Sequence, residues 1–74
     1  MEITDKLLDE IENGFTKESW GIFTGTPEDD LISFHHSFGR YLRNTYNLWY
    51  EDLDGVHPDD FSFEIIQKLW KRNR

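Results

Sequence analysis

Seventy-four residues make one domain, at a size where a hydrophobic core only just offsets the conformational entropy lost on folding. There is no cysteine, so disulfides and thiolate metal sites are excluded, and packing must come from six Phe, three Tyr and three Trp, each able to bury roughly 150–250 Å². A formal charge of −7 disfavours phosphate backbones and anionic membranes, and no apolar run approaches the roughly 20 residues of a membrane span, so we expect a cytoplasmic protein with no direct nucleic-acid partner.

The first element is the helix of "ITDKLLDEIEN". Ile3, Leu7, Leu8 and Ile11 recur at helical spacing, Thr4 suits the N-cap, Asp5 lies near the positive helix end, and Gly14 is a natural stop. "FTKESWGIFTG" reads two ways: "TKES" can start a helical turn at Thr16, and "WGIF" can equally be an extended connector. Either way it is expected to lay Phe15, Trp20, Ile22 and Phe23 across the core.

The run "GTPEDDLISFHHSFGRYLRNTYNLW" predicts a long second helix. Thr26 suits the N-cap, Pro27 the first helical position, and Glu28, Asp29 and Asp30 the positive end of the dipole. Leu31, Phe34, His35, Phe38, Leu42, Thr45 and Trp49 follow at steps of three and four as its buried stripe. Gly39 costs about 1 kcal/mol against Ala in a helix, which implies close approach by another element, such as an aromatic side chain.

"YEDLDGVHPDD" breaks the pattern with Gly55 and Pro58 and reads as an acidic loop. A last helix starts near Pro58, with Asp59 or Asp60 able to cap it and Phe61, Ile65, Ile66, Leu69 and Trp70 on its inner side. Lys68, Lys71, Arg72 and Arg74 fall where cations favour the negative helix end. The fold expected is all-α: a bundle of three main helices, about 4–13, 27–47 and 58–72, with residues 15–25 irregular or short helical.

Charge is segregated along the chain. Residues 1–30 carry −7, residues 31–50 carry +2, residues 51–64 carry −6 and residues 65–74 carry +4. Such blocks suggest pairing between segments and an acidic surface able to meet a basic partner.

The chemistry-bearing residues gather in "FHHSFGRYLRN" and "HPDD". Adjacent helix positions diverge by about 100°, so His35 would face the core as a satisfied boundary histidine while His36 faces away. His36, Arg40 and Arg43 would form one line, either pairing internally with Asp59 and Asp60 or gripping an acidic or phosphorylated ligand. No His pair stands at i, i+3 or i+4, and neither a His-Glu-x-x-His nor a calcium-loop pattern is present, so the spacing supports no metal site and no cofactor. "HPDD" reads more simply as a helix start than as a phosphohydrolase centre. There is no nucleophile motif and no phosphate-cradling glycine loop.

"LISFHHSFGRYLRN" followed by "LW", then "HPDDFS" and "IIQKLW", resembles an uncharacterised bacterial and phage domain family. Its members carry a Phe-His-His-x-x-Gly-x-x-x-Arg-Asn helix and a His-Pro-Asp-Asp turn. The resemblance covers roughly residues 28–70, and the linker "YEDLDGV" is shorter here than in longer members. It brings no catalytic residues, and implies that His36, Arg40, Arg43, Asn44, His57, Asp59 and Asp60 belong to one structural or binding unit.

The functional expectation is a non-enzymatic interaction module, a monomer or small homo-oligomer, that binds and inhibits a protein partner with a basic surface. A phage inhibitor of host defence, an immunity or antitoxin protein, and a nucleic-acid mimic are its narrower versions. Glu2, Asp9, Glu10, Glu12, Glu28, Asp29, Glu51, Asp52 and Asp54 are the candidate contact residues. The alternative is a small phosphate- or metal-dependent enzyme built on His36, Arg40, Arg43, His57, Asp59 and Asp60.

Overall fold

A computed structural model describes residues 1–73, in which four α-helices and two 3-10 segments build an all-α domain with no strand among the described residues. Helix α1 spans Asp5–Asn13, α2 Lys17–Gly25, α3 Phe38–Thr45 and α4 Pro58–Lys71. The 3-10 segments are Glu28–Phe34 and Leu48–Tyr50. Arg74, counted above among the cations of the last helix, lies outside the described residues.

Helix α1 forms as its sequence predicts. The Thr4 hydroxyl accepts from the Leu7 amide, the Gly14 amide donates back to the Ile11 carbonyl, and Leu7, Leu8 and Ile11 are buried. Residues 15–25 take the helical alternative, and the reason is local. Thr16 and Ser19 form a reciprocal capping box, each side chain accepting from the other's backbone amide, which satisfies two otherwise orphaned donors at the start of α2.

The long second helix is broken, which corrects the expected span 27–47. Thr26 is the C-terminal cap of α2, and Pro27 precedes a 3-10 segment instead of opening an α-helix. Tighter turns run to Phe34, His35–Ser37 make a bend, and α3 begins only at Phe38. Asn47, in the left-handed region at φ 52°, ends the helical path before Leu48.

The break is compatible with the apolar spacing because both flanking aromatics still reach the core. Phe23 is almost fully buried, with ring centroids of Phe15, Phe34 and Phe38 at 5.5, 5.4 and 5.7 Å and that of Trp20 at 5.8 Å. Truncating Phe23 to Ala would cost about 3–5 kcal/mol. Ile22, on the other side of α2, is 61% exposed, so the connector delivers three of its four apolar residues to the core. Thr45 and Trp49, expected on the buried stripe, are exposed: Thr45 is the last residue of α3, whose buried face is Gly39, Leu42 and Arg43, and Trp49 follows the left-handed turn at Asn47.

Helix α4 is the central element. Phe61, Ser62, Ile65, Ile66 and Leu69 are buried, and the helix packs on α1, α3 and the first 3-10 segment. Its far end is tied down by the Trp70 indole N–H, which donates to the Thr26 carbonyl at 2.8 Å. The charge blocks join as their signs suggest: Arg72 reaches Asp9 and Glu12 on α1, and Lys71 reaches Glu28.

Candidate functional site

Two features stand out on this scaffold: a polar seam inside the α3–α4 interface and an exposed loop that leads into α4.

The seam centres on Arg43, which projects from α3 toward α4. Its residue is 8% exposed, so the guanidinium must find partners within the protein. It does so at all three nitrogens. Nε lies 3.3 Å from Asp59 Oδ1, Nη1 donates to Ser62 Oγ at 2.9 Å, and Nη2 donates to the His35 carbonyl at 3.4 Å. Ser62 passes the chain on, its hydroxyl donating to the Asp59 carbonyl at 2.9 Å.

Gly39 makes this geometry possible. A Cβ at that position would stand 3.0 Å from Arg43 Nη1 and 3.5 Å from Ser62 Oγ. The close approach inferred from this glycine is therefore a guanidinium and a serine, not an aromatic ring.

His36, Arg40 and Arg43 do not form the expected stripe. His36 lies in the bend before α3, its ring edge-on to His35 at 4.9 Å, and both His36 and Arg40 are exposed. Asn44 is also exposed. Arg43 alone docks onto the "HPDD" turn, through Asp59; Asp60 points to solvent.

His57 supplies the cap of α4, in place of Asp59 or Asp60. Its Nδ1 accepts from the Asp59 amide at 3.1 Å, with Pro58 at the first helical position. The same nitrogen stands 3.8 Å from Asp59 Oδ2, and the ring meets Trp49 at 5.4 Å and a near-perpendicular angle. Asp59 thus takes Arg43 on one carboxylate oxygen and faces His57 with the other.

The loop feature follows from how residues 47–57 are pinned. Leu48 and Leu53 are buried anchors, at 1% and 6% exposure. Asn47 just before Leu48, and Asp54 and Gly55 just after Leu53, have positive φ and turn the chain at either end of the segment between the anchors. The Asp52 carboxylate accepts from the Asp54 amide at 3.1 Å, fixing that turn. Trp49, Tyr50 and Val56 then face outward at 54%, 91% and 39% exposure, alongside exposed Glu51, Asp52 and Asp54.

The remaining acidic candidates divide in two. Glu2, Glu10 and Asp29 are exposed, with no ion pair among the described residues. Asp9, Glu12 and Glu28 pair with Arg72 or Lys71, and Glu12 is half-buried. Among the described residues no group of three His, Asp or Glu side chains could hold a metal ion. No helix of the described residues is long and apolar enough to cross a membrane.

Sequence reasoning did not select Ser62, although a small polar residue inside the apolar run of α4 was a signal that something polar faces it. It also assigned Trp49 to the core and left Tyr50 unremarked.

Comparison with known proteins gives a partial likeness. The chain is 33% identical over 61 residues to a probable inorganic carbon transporter subunit, DabA, of Bacillus subtilis (strain 168), covering 82% of this chain and 7% of that protein. The same-named protein of Bacillus cytotoxicus is 32% identical over 57 residues, covering 77% of this chain and 6% of its own length. The chain thus spans well under a tenth of the curated relatives it matches. No family model matches it, and no solved structure matches significantly.

Proposed function

We propose that this chain is a non-enzymatic interaction module that binds, and by binding inhibits, a protein partner with a basic surface. The observation that carries the reading is the loop at 48–56. Buried Leu48 and Leu53 hold it in one shape while Trp49, Tyr50 and Val56 stand in solvent beside Glu51, Asp52 and Asp54. Exposed aromatics on a fixed turn offer large contact area at small entropic cost, and the carboxylates add attraction for cations.

The seam at Arg43 supports a structural role for the "HPDD" turn, because each of its guanidinium nitrogens is already engaged. It offers no free cation for a phosphate. The relatives are named as a transporter subunit, and a subunit by that name assembles with other chains, which accords with a binding role. An inhibitor of host defence in a phage-infected cell, an immunity protein of the bacterial cytosol and a nucleic-acid mimic are narrower versions, and the partner's identity chooses among them.

The test is capture from a lysate of the native host, using wild type, a variant with Glu51→Gln, Asp52→Asn and Asp54→Asn, and Tyr50→Ala. Asparagine keeps the side-chain acceptor that Asp52 gives the Asp54 amide and tolerates the positive φ of Asp54, so the loop should keep its shape, which circular dichroism and amide shifts check. The reading expects one dominant partner, weakened by the charge removal, reduced by Tyr50→Ala and released as salt rises from about 0.1 to 1 M. A partner retained equally by all three baits and at high salt would sink it.

A further inference from the structure

His57 stands where the loop at 48–56 meets α4, and its ring faces two groups with opposite demands. Nδ1 accepts from the Asp59 amide at 3.1 Å, so the cap requires a neutral ring with its proton on Nε2. The same nitrogen lies 3.8 Å from Asp59 Oδ2, too far to hydrogen-bond as it stands, yet facing the one nearby group that an imidazolium would seek. An imidazolium has no acceptor, so proton uptake destroys the cap and sets N–H against N–H at the positive end of α4.

The surroundings decide which part yields. The Asp59 carboxylate is held through Oδ1 by Arg43 Nε on α3, and Arg43 is itself buried and engaged at its other two nitrogens. The His57 backbone is extended, at φ −65° and ψ 140°, the region that Pro58 imposes on the residue before it. That leaves the His57 side chain, 56% exposed, as the part that can turn. Turning changes its contact with Trp49, whose ring it now meets at 5.4 Å and 86°. The other charged groups on the neighbouring elements are Asp60 in the first turn of α4, Arg40 on α3, Glu51, Asp52 and Asp54 in the loop, and the Met1 ammonium, which donates to the Asp52 carbonyl. Among the described residues Asp59 is the one that pairs with the ring.

We propose that His57 is a proton-operated clasp on the loop. Neutral, it caps α4 and rests against Trp49; protonated, it releases the Asp59 amide, turns to Asp59 Oδ2 and shifts the Trp49 ring. The inference rests on the interaction-module reading for its consequence, because Trp49 belongs to the surface assigned to the partner and acid would remodel that surface. The clasp itself is a property of the chain alone.

The experiment is an NMR titration of the full chain, without partner, from about pH 8 to 5, where histidine takes up its proton and ordinary carboxylates stay largely ionised. The His57 Nδ1 signal should be that of a bare nitrogen at the alkaline end and of a protonated one at the acid end. The Asp59 amide proton should move upfield as its hydrogen bond is lost. The Trp49 indole signal, identified by its absence in Trp49→Phe, should move with the same midpoint as the His57 ring. His57→Asn keeps a capping acceptor and does not titrate, so both responses should vanish with spectral dispersion intact. They should persist in a chain carrying His35→Gln and His36→Gln. A neutral ring that carries its proton on Nδ1 overturns the proposal, as does an Asp59 amide or a Trp49 indole that ignores the His57 titration. Responses that survive in His57→Asn overturn it too. None of these measurements involves a partner, so the interaction-module reading stands or falls separately in the capture experiment.

Discussion

Arg43 and Arg72 make the same kind of bond in different surroundings. Arg72 has the shorter contact, Nη2 lying 2.7 Å from Asp9 Oδ1 and 3.5 Å from Glu12 Oε1, with Nη1 donating to the Asp5 carbonyl at 3.4 Å. The hydrogen bond with Asp9 is the first cause holding its guanidinium even more firmly charged than usual. Arg43 sits at 3.3 Å from its carboxylate but is buried, under Gly39 and against Ser62. Distance ranks these two contacts one way and energetics the other. Water and salt screen the surface pair and leave little net gain, whereas a buried cation deprived of its partners has no solvent to fall back on.

The largest effect should therefore come from the seam. Arg43→Ala removes three engaged nitrogens and the packed stem, and is expected to cost about 3 kcal/mol in urea unfolding. Asp59, with its side chain 42% exposed, can rehydrate, which keeps the loss below that of a fully buried pair. A cost under about 1 kcal/mol would mean that Arg43 behaves as a surface residue and the comparison fails.

Gly39→Ala sharpens the same point through a change of sign. In the wild-type background the new methyl meets Arg43 Nη1 at 3.0 Å, so the substitution should destabilise by about 1–2 kcal/mol as the fork is displaced. With Arg43→Ala already in place the obstruction is gone, and helix propensity should make the same change neutral or stabilising by up to about 1 kcal/mol. Additivity of the two substitutions in a double-mutant cycle would show that Gly39 has no part in housing the guanidinium.

How much of this was legible follows from which signals are local. Helix α1 and helix α4 were readable because their caps and apolar spacing agree: Thr4 and Gly14 bound the first, Pro58 opens the second. Residues 27–47 were misread as one α-helix because steps of three and four satisfy a 3-10 turn, a bend and an α-helix alike, provided Leu31, Phe34, Phe38 and Leu42 all end up inward. What distinguishes the paths is the aromatic cluster around Phe23, a tertiary contact with no trace in local spacing. The link between Arg43 and the "HPDD" turn was within reach from charge and the resemblance, but not its division of labour. Only the fold puts Ser62 against Arg43, turns Arg40 outward and gives the cap to His57.

At the surface end of the comparison, Arg72→Ala should cost no more than about 1 kcal/mol at low salt, and the difference from wild type should shrink as salt rises toward about 1 M. Arg43→Ala should keep its cost over the same range. If both losses fade together, the seam is wetter than its burial implies; if neither fades, the packing of the Arg72 stem on α1 matters more than its charge.

The smallest effect concerns Tyr46, whose phenol feels Glu10 on α1. Burial, Glu10 and Tyr41 raise its phenol above the ordinary value near 10, so the folded chain holds this proton more tightly than the unfolded chain does. The stability tied to the neutral phenol is fully present below about pH 10 and is lost as pH rises through the folded value. Tyr46→Phe cannot ionise, so wild type should lose stability more steeply than the variant above pH 10, with the two curves parallel below it. Glu10→Gln should reduce the difference without removing it, because desolvation of the phenolate is the larger cause and survives the loss of the carboxylate. Parallel curves across the whole range would mean that Tyr46 rehydrates freely when ionised.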